Sequence, residues 1–165
     1  MVLPHLDAAY NLARWLTRRE HDAQDIVQEA YLRAFKAFDQ FHGTSGDARC
    51  WILTIVRNTC FTWMARNRTA EAAVSFDADA HDRGSDTASP DLLMQRSDDQ
   101  AMVRSAIEAL PVEFREVIIL REFENLSYQQ IAAVADVPVG TVMSRLARAR
   151  ERLSRALCAQ LTQEA

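Results

Sequence analysis

Residues 126–153, Leu-Ser-Tyr-Gln-Gln-Ile-Ala-Ala-Val-Ala-Asp-Val-Pro-Val-Gly-Thr-Val-Met-Ser-Arg-Leu-Ala-Arg-Ala-Arg-Glu-Arg-Leu, read as a helix, a tight turn and a second helix. Ser127 is placed to cap the first helix, with Gln130 three residues later reaching back as a capping box. Ile131 and Val134 share one face, and Ala132 and Ala133 keep the helix slim, so that another helix can cross closely. Asp136 falls at the turn, where a short polar side chain tolerates left-handed backbone. Pro138 suits the first turn of the next helix, because its missing N–H would have no partner there. In that helix Val142, Leu146, Ala149 and Leu153 recur at steps of four, three and four and form the buried stripe. The opposite face carries Thr141, Ser144, Ala147, Arg148 and Glu151, flanked by Arg145 and Arg152. Between Pro138 and Arg155 there are five arginines and one acid. This is the layout of a helix-turn-helix whose second helix enters a DNA major groove. A solvated basic face on an ordinary helix would carry arginines too. It would not also explain the cap, the turn and Gly140-Thr141.

The rest of the chain sets limits. At 165 residues it is one modest domain or two small ones. Four glycines and four prolines, with many Ala, Leu, Arg and Gln, point to an all-α fold. No apolar run reaches the roughly 18 residues of a membrane span, and the opening Met-Val-Leu-Pro-His-Leu-Asp lacks a signal-peptide pattern. Cys50, Cys60 and Cys158 are odd in number and scattered, which fits reduced thiols in a cytoplasmic protein. His5, His21, His42 and His81 offer no zinc-like spacing to them, so no metal is expected.

The net charge of −4 is unusual for a DNA binder, but its distribution is uneven. Residues 1–68 carry nine basic and seven acidic side chains, residues 69–100 two basic and eight acidic, and residues 101–165 eight of each. Local potential, rather than the total, governs phosphate contact. The acidic middle is rich in Asp, Ser and Ala, holds Gly84 and Pro90, and lacks apolar periodicity. It reads as a linker over 69–96 between helical units at 1–68 and 97–165. The first unit shows three helical patterns. Residues 5–19 align Leu6, Ala9, Tyr10, Ala13 and Leu16. Residues 21–41 align Ile26, Ala30, Leu32 or Arg33, Phe35, Phe38 and Phe41. After a break from Gly43 to Gly46, residues 48–66 align Trp51, Ile52, Ile55, Val56, Thr59 and Trp63. The second unit begins near Ser97 with the stripe Met102, Val103, Ala106, Ile107 and Leu110. Pro111 stops that helix and opens the next, which carries Phe114, Val117, Ile118 and Leu120.

Two separated stretches carry a family resemblance. His-Asp-Ala-Gln-Asp-Ile-Val-Gln-Glu-Ala-Tyr-Leu-Arg at 21–33 resembles region 2 of bacterial sigma factors, and residues 109–152 resemble region 4. Both modules in this order, around a short acidic linker, are similar to the minimal extracytoplasmic-function group of sigma-70 factors. The resemblance implies a factor that directs core RNA polymerase to promoters, recognises −35 and −10 elements with separate modules, and helps open the duplex. It implies docking on the clamp helices of the largest polymerase subunit and on the flap region, and control by an anti-sigma factor.

On a helix Asp22, Asp25 and Glu29 lie three and four apart, with Gln28 beside them, so their polar ends share one face. The resemblance assigns this patch to the polymerase clamp; alone it would read as a solvated acidic face. For the −10 element the resemblance points to His42, Thr44, Ser45, Arg57, Asn58, Trp63, Arg66 and Arg68. Aromatic faces stack on unpaired bases and cations follow a single strand's backbone. The loop Phe41–Asp47 corresponds to a pocket for one flipped base. Trp51 is read as core packing. Thr62 and Ala65 depart from the Asp and Arg often found in relatives. For the −35 element, Met143, Ser144, Ala147 and Arg148 correspond to base-reading positions, and Thr141, Arg145 and Arg152 to phosphate contacts. Met143 replaces a Lys or Arg common in relatives. Met and Ala can meet a thymine methyl but cannot donate to guanine, so Arg148 is the expected base-specifying residue.

No glycine-rich phosphate loop, catalytic carboxylate pair or nucleophile–base set stands out, so neither enzymatic activity nor a cofactor is expected. Two other readings exist. A one- or two-component regulator would need an effector pocket or a receiver-like βα alternation in residues 1–68, and neither is visible. A protein-binding scaffold would leave the arginine helix without a purpose.

Overall fold

The computed structural model describes residues 2–74 and 94–163, and every regular element in them is helical. Three helices build the first unit: α1 (Leu6–Thr17), α2 (Glu20–Lys36) and α3 (Ser45–Val74). Arg18, left-handed at φ 61°, ends α1 and turns the chain sharply into α2. The three helices pack pairwise around Leu12, Leu16, Ile26, Ile52, Leu53 and Val56, all buried. The buried Tyr31 hydroxyl donates to the Val2 carbonyl at 3.0 Å, tying the N-terminal segment to α2.

The inward face of α2 differs from the one read in the sequence. Ala23, Ile26, Val27, Ala30, Tyr31 and Ala34 are buried, whereas Leu32, Phe35 and Phe38 are 61%, 59% and 43% exposed. Ala23, Ala30 and Ala34, spaced seven and four apart on the inward face, let α1 and α3 approach α2 closely, and that leaves the bulky residues outside. Trp51, as expected, packs: it is half-buried, with its ring 4.8 Å from that of Phe41.

The second unit contains α4 (Met94–Glu108), α5 (Val112–Ile118), α6 (Tyr128–Ala135) and α7 (Val139–Gln163). A wider π-type turn, Ile119–Phe123, continues α5, and Asn125 at φ 53° breaks it. Residues 115 to 120 are all buried. A helix can be buried on every side only if neighbours surround it, and α1, α6 and α7 do so here. Two of these neighbours belong to the second unit and one to the first.

The two units therefore share one continuous apolar cluster instead of standing apart. α1 packs on α5, and α3 packs on α6. The stretch expected as a linker, 69–96, begins inside α3 and ends inside α4, and residues 75–93 lie outside the described residues.

Candidate nucleic-acid and polymerase interfaces

α6 begins as the sequence dictates. The Ser127 hydroxyl accepts from the Gln130 N–H at 3.2 Å, and the Gln130 side chain accepts from the Ser127 N–H at 2.9 Å, closing the capping box. Asp136 ends α6 in the left-handed region at φ 54°. α7 starts at Val139, so Pro138 stands just before the helix and not within its first turn. Its carbonyl accepts from Thr141 and Val142 at 3.0 and 3.2 Å. Val142, Leu146 and Ala149 are buried against α5 and α6, with Leu153 half-buried.

That burial fixes which side of α7 faces outward. Met143, Ser144, Ala147, Arg148 and Arg152 are exposed, while Thr141 and Arg145 are half-buried. Ser144 spends its hydroxyl proton on the Thr141 carbonyl at 3.0 Å. Arg152 lies over the Phe114 ring at 5.0 Å, and Arg150 pairs with Glu122 at 2.8 Å. Arg148 makes no ion pair among the described residues.

On the first unit, the break before α3 is shorter than the sequence suggested, because Ser45, Gly46 and Asp47 are already helical. The Thr44 N–H and hydroxyl both donate to Asp47 Oδ2, at 2.9 and 2.7 Å, so Thr44 serves the helix end. These bonds hold the Asp47 carboxyl below its ordinary pKa. The loop proper is Phe41–Thr44, with Phe41 folded over Gly43 so closely that a Cβ there would sit 2.7 Å from the ring. His42, Asn58, Arg66 and Arg68 are exposed, and Trp63 is half-buried.

Arg57 differs from these. Its Nε donates to Glu116 Oε1 at 2.7 Å, its guanidinium lies 4.0 Å over the Phe61 ring, and its side chain is 16% exposed. Glu116, on α5, is fully buried. Burial pushes its carboxyl pKa up, and the Arg57 hydrogen bond and charge oppose that rise. A second acid from the other unit, Glu124, accepts from Arg49 Nη2 at 2.6 Å and Asn11 Nδ2 at 2.8 Å. Two arginines also cap helices across the boundary. Arg115 donates to the Trp15 carbonyl near the end of α1, and Arg18 to the Glu108 carbonyl at the end of α4, each at 3.2 Å.

α2 presents Asp25, Gln28 and Glu29 to solvent on one side, with Asp22 less exposed and 3.9 Å from Arg19. His21 sits 3.7 Å from Asp25, and Arg33 pairs with Glu29. The exposed Leu32 and Phe35 continue the same helical face, three to four residues further on.

Against known proteins, residues 1–70 match the family model described as Sigma-70 region 2, and residues 100–153 the model described as Sigma-70, region 4. The RNA polymerase sigma-H factor of Pseudomonas aeruginosa is 40% identical over 153 residues, which are 86% of this chain and 78% of that protein. This chain is a sigma-70 family factor of the extracytoplasmic-function group. The ECF RNA polymerase sigma-E factor of Escherichia coli K12 is 36% identical over 138 residues, 80% of this chain and 72% of that protein. Among solved structures, the sigma factor RpoE bound to the anti-sigma factor NepR, from Bartonella quintana, matches with a TM-score of 0.72. It is 28% identical, over 94% of this sigma factor and 93% of that chain. CnrH, in complex with the cytosolic domain of CnrY, matches with a TM-score of 0.65 at 26% identity, over 96% and 85%. The sigma factor thus acts in promoter-specific transcription initiation, and none of its described helices is long and apolar enough to cross a membrane.

Sequence reasoning missed the groups on the boundary between the two units: Asn11, Trp15, Arg49, Glu116 and Glu124. The available signal was the acid at 116 at the head of the apolar run Val117–Leu120. A carboxylate in such a run requires a cation from elsewhere in the chain.

Proposed function

We propose that this sigma factor meets promoter DNA on two surfaces and polymerase on two others. The N-terminal half of α7 enters the major groove of the −35 element. Arg148 donates to a guanine edge, Met143 and Ala147 touch thymine methyls, Ser144 lies against the base edges, and Thr141, Arg145 and Arg152 hold phosphates. The −10 strand runs along α3 and the loop before it, past His42, Thr44, Ser45, Arg57, Asn58, Trp63, Arg66 and Arg68, where cations follow the backbone and Trp63 offers a stacking face. Asp22, Asp25, Gln28 and Glu29 dock on the clamp helices of the largest polymerase subunit, and the second unit docks on the flap region. It works in the cytoplasm, by binding alone and with no bond chemistry or cofactor. The sigma factor RpoE, solved in complex with the anti-sigma factor NepR, supports a similar controlling partner here.

The outward face of α7 carries this reading: an exposed Arg148, with no ion pair among the described residues, stands opposite a buried apolar stripe. Core polymerase reconstituted with the full chain, followed by sequencing of run-off transcripts from genomic fragments, tests it. Start sites sharing upstream sequence near −35 and −10 are the expected result. Transcripts identical to those of core polymerase alone would defeat it.

A further inference from the structure

The fold fixes the hydrogen-bonding sense of one outward side chain of α7, Ser144. Its Oγ lies 3.0 Å from the Thr141 carbonyl oxygen. A carbonyl has no proton to give, so the Ser144 hydroxyl is the donor, and its single proton is spent inside the helix. What it turns outward is acceptor lone pairs. Arg148, one turn further along the same face, is the opposite case, since a guanidinium carries donors and no acceptor. Both residues are exposed, and the stripe behind them, Val142, Leu146 and Ala149, is buried, which holds this face of α7 outward.

In the major groove the donors are the amino groups of adenine and cytosine, whereas guanine and thymine present oxygen acceptors in their place. We propose that Ser144 is a specificity-determining residue that restricts one −35 position to adenine or cytosine on the strand it faces, treating the two alike. The inference rests on the reading of α7 as the −35 helix. To meet guanine or thymine there, Ser144 would have to surrender its bond to Thr141, which costs about three- to tenfold in affinity. The four residues from Ser144 to Arg148 span about 6 Å of helix, less than two base steps of about 3.4 Å. The restricted position therefore lies within two steps of the guanine read by Arg148. Gly140 supplies the reach that a side chain as short as serine needs. It lies one turn before Ser144, exposed and helical. Its φ is not positive, and a Cβ there would meet nothing within 4 Å. Neither backbone conformation nor packing inside the chain calls for a glycine, which weakens a helix relative to alanine; bare backbone at this point lets another surface come close.

The test uses holoenzyme made from core polymerase and the full chain, selecting from a promoter library randomised over the −35 element. Wild type should yield a guanine position. Within two steps of it there should be a position where adenine and cytosine are interchangeable and guanine and thymine are depleted about three- to tenfold. Arg148→Ala should flatten the first position only. Ser144→Ala should flatten the second only, and should admit thymine there, because the alanine methyl can meet the thymine methyl. Alanine suits an exposed helical position at least as well as serine, so this variant keeps its fold.

A selected promoter carrying adenine at the second position then isolates the single bond. Unsubstituted purine in its place lacks the exocyclic amino group. Wild-type holoenzyme should bind the purine promoter about three- to tenfold more weakly than the adenine one, and Ser144→Ala should bind the two equally. A Ser144→Ala selection identical to that of wild type, a Ser144-dependent position that favours guanine or thymine, or equal binding of purine and adenine by wild type would overturn the proposal. If instead wild type selects no shared −35 sequence, or Arg148→Ala leaves every position unchanged, it is the reading of α7 that fails, and the proposal with it.

Discussion

Arg57→Ala and Glu116→Gln break the same ion pair, yet their costs differ sharply. Removing Arg57 leaves a carboxylate at zero exposure without its ion-pair partner, with only the more distant charge of Arg145 still favouring it. Stranding one partner of a buried pair costs about 3–5 kcal/mol, and losing the cation over the Phe61 ring adds roughly 0.5–1 kcal/mol. Glu116→Gln keeps an oxygen for Arg57 Nε, removes the buried charge, and should cost about 1 kcal/mol. The penalty on Arg57→Ala also depends on pH. Burial already raises the Glu116 carboxyl above its ordinary 4.5, and removal of Arg57 raises it further, because Arg57 opposes the shift. A group with a raised pKa binds its proton more tightly in the folded state, so its stability contribution is full below 4.5 and is lost as pH rises through the raised value. The excess cost of Arg57→Ala should therefore be largest near pH 7.5 and shrink towards pH 5, leaving the part due to Phe61. Urea unfolding of wild type and both variants, followed by circular dichroism at the two pH values, reads this directly. Where the units separate first, the cost appears as an early transition of the contact between them. Equal costs for the two substitutions, or a penalty on Arg57→Ala independent of pH, would refute the reasoning.

Other expectations follow from single contacts. Arg148→Ala should lose about 1–3 kcal/mol of discrimination at one −35 base pair, seen by comparing holoenzyme binding to promoters altered at each position. Arg152→Ala should instead weaken all promoters alike and lower the salt slope by about one, together with the loss of its contact on Phe114. Ser127→Ala should lower stability by about 1 kcal/mol through loss of the α6 cap, and adding Gln130→Ala should cost less than the sum, because the two bonds form one box. Gly43→Ala puts a methyl 2.7 Å from the Phe41 ring and 2.9 Å from the Asp47 Cβ, so Phe41 must leave Trp51. Tryptophan fluorescence should shift, and binding of single-stranded −10 DNA should weaken.

The helix-turn-helix was legible because its signals are local. A serine three residues before a glutamine, an aspartate at a left-handed turn and apolar residues at steps of three and four act within one or two turns of helix. The structure reproduces each of them, with Pro138 displaced by one position. The acidic face of α2 was legible for the same reason. What escaped was everything decided by approach. On α2, periodicity alone could not rank Phe35 against Ala34. Two neighbouring helices that needed close contact chose the alanines and left the phenylalanine outside.

The amino-acid order by itself determined the all-helical fold, the caps and turns, and the outward arginine face of α7, since each depends on neighbours a few residues away. Only the tertiary structure decided which arginines stay exposed and which are taken up in ion pairs. Arg57 and Glu116 are 59 positions apart, and Arg49 and Glu124 are 75 apart. No helical period reports such a pairing. It exists because residues 115–120 are buried on every side, and a carboxylate carried into that interior must find its counter-charge on the helix that covers it.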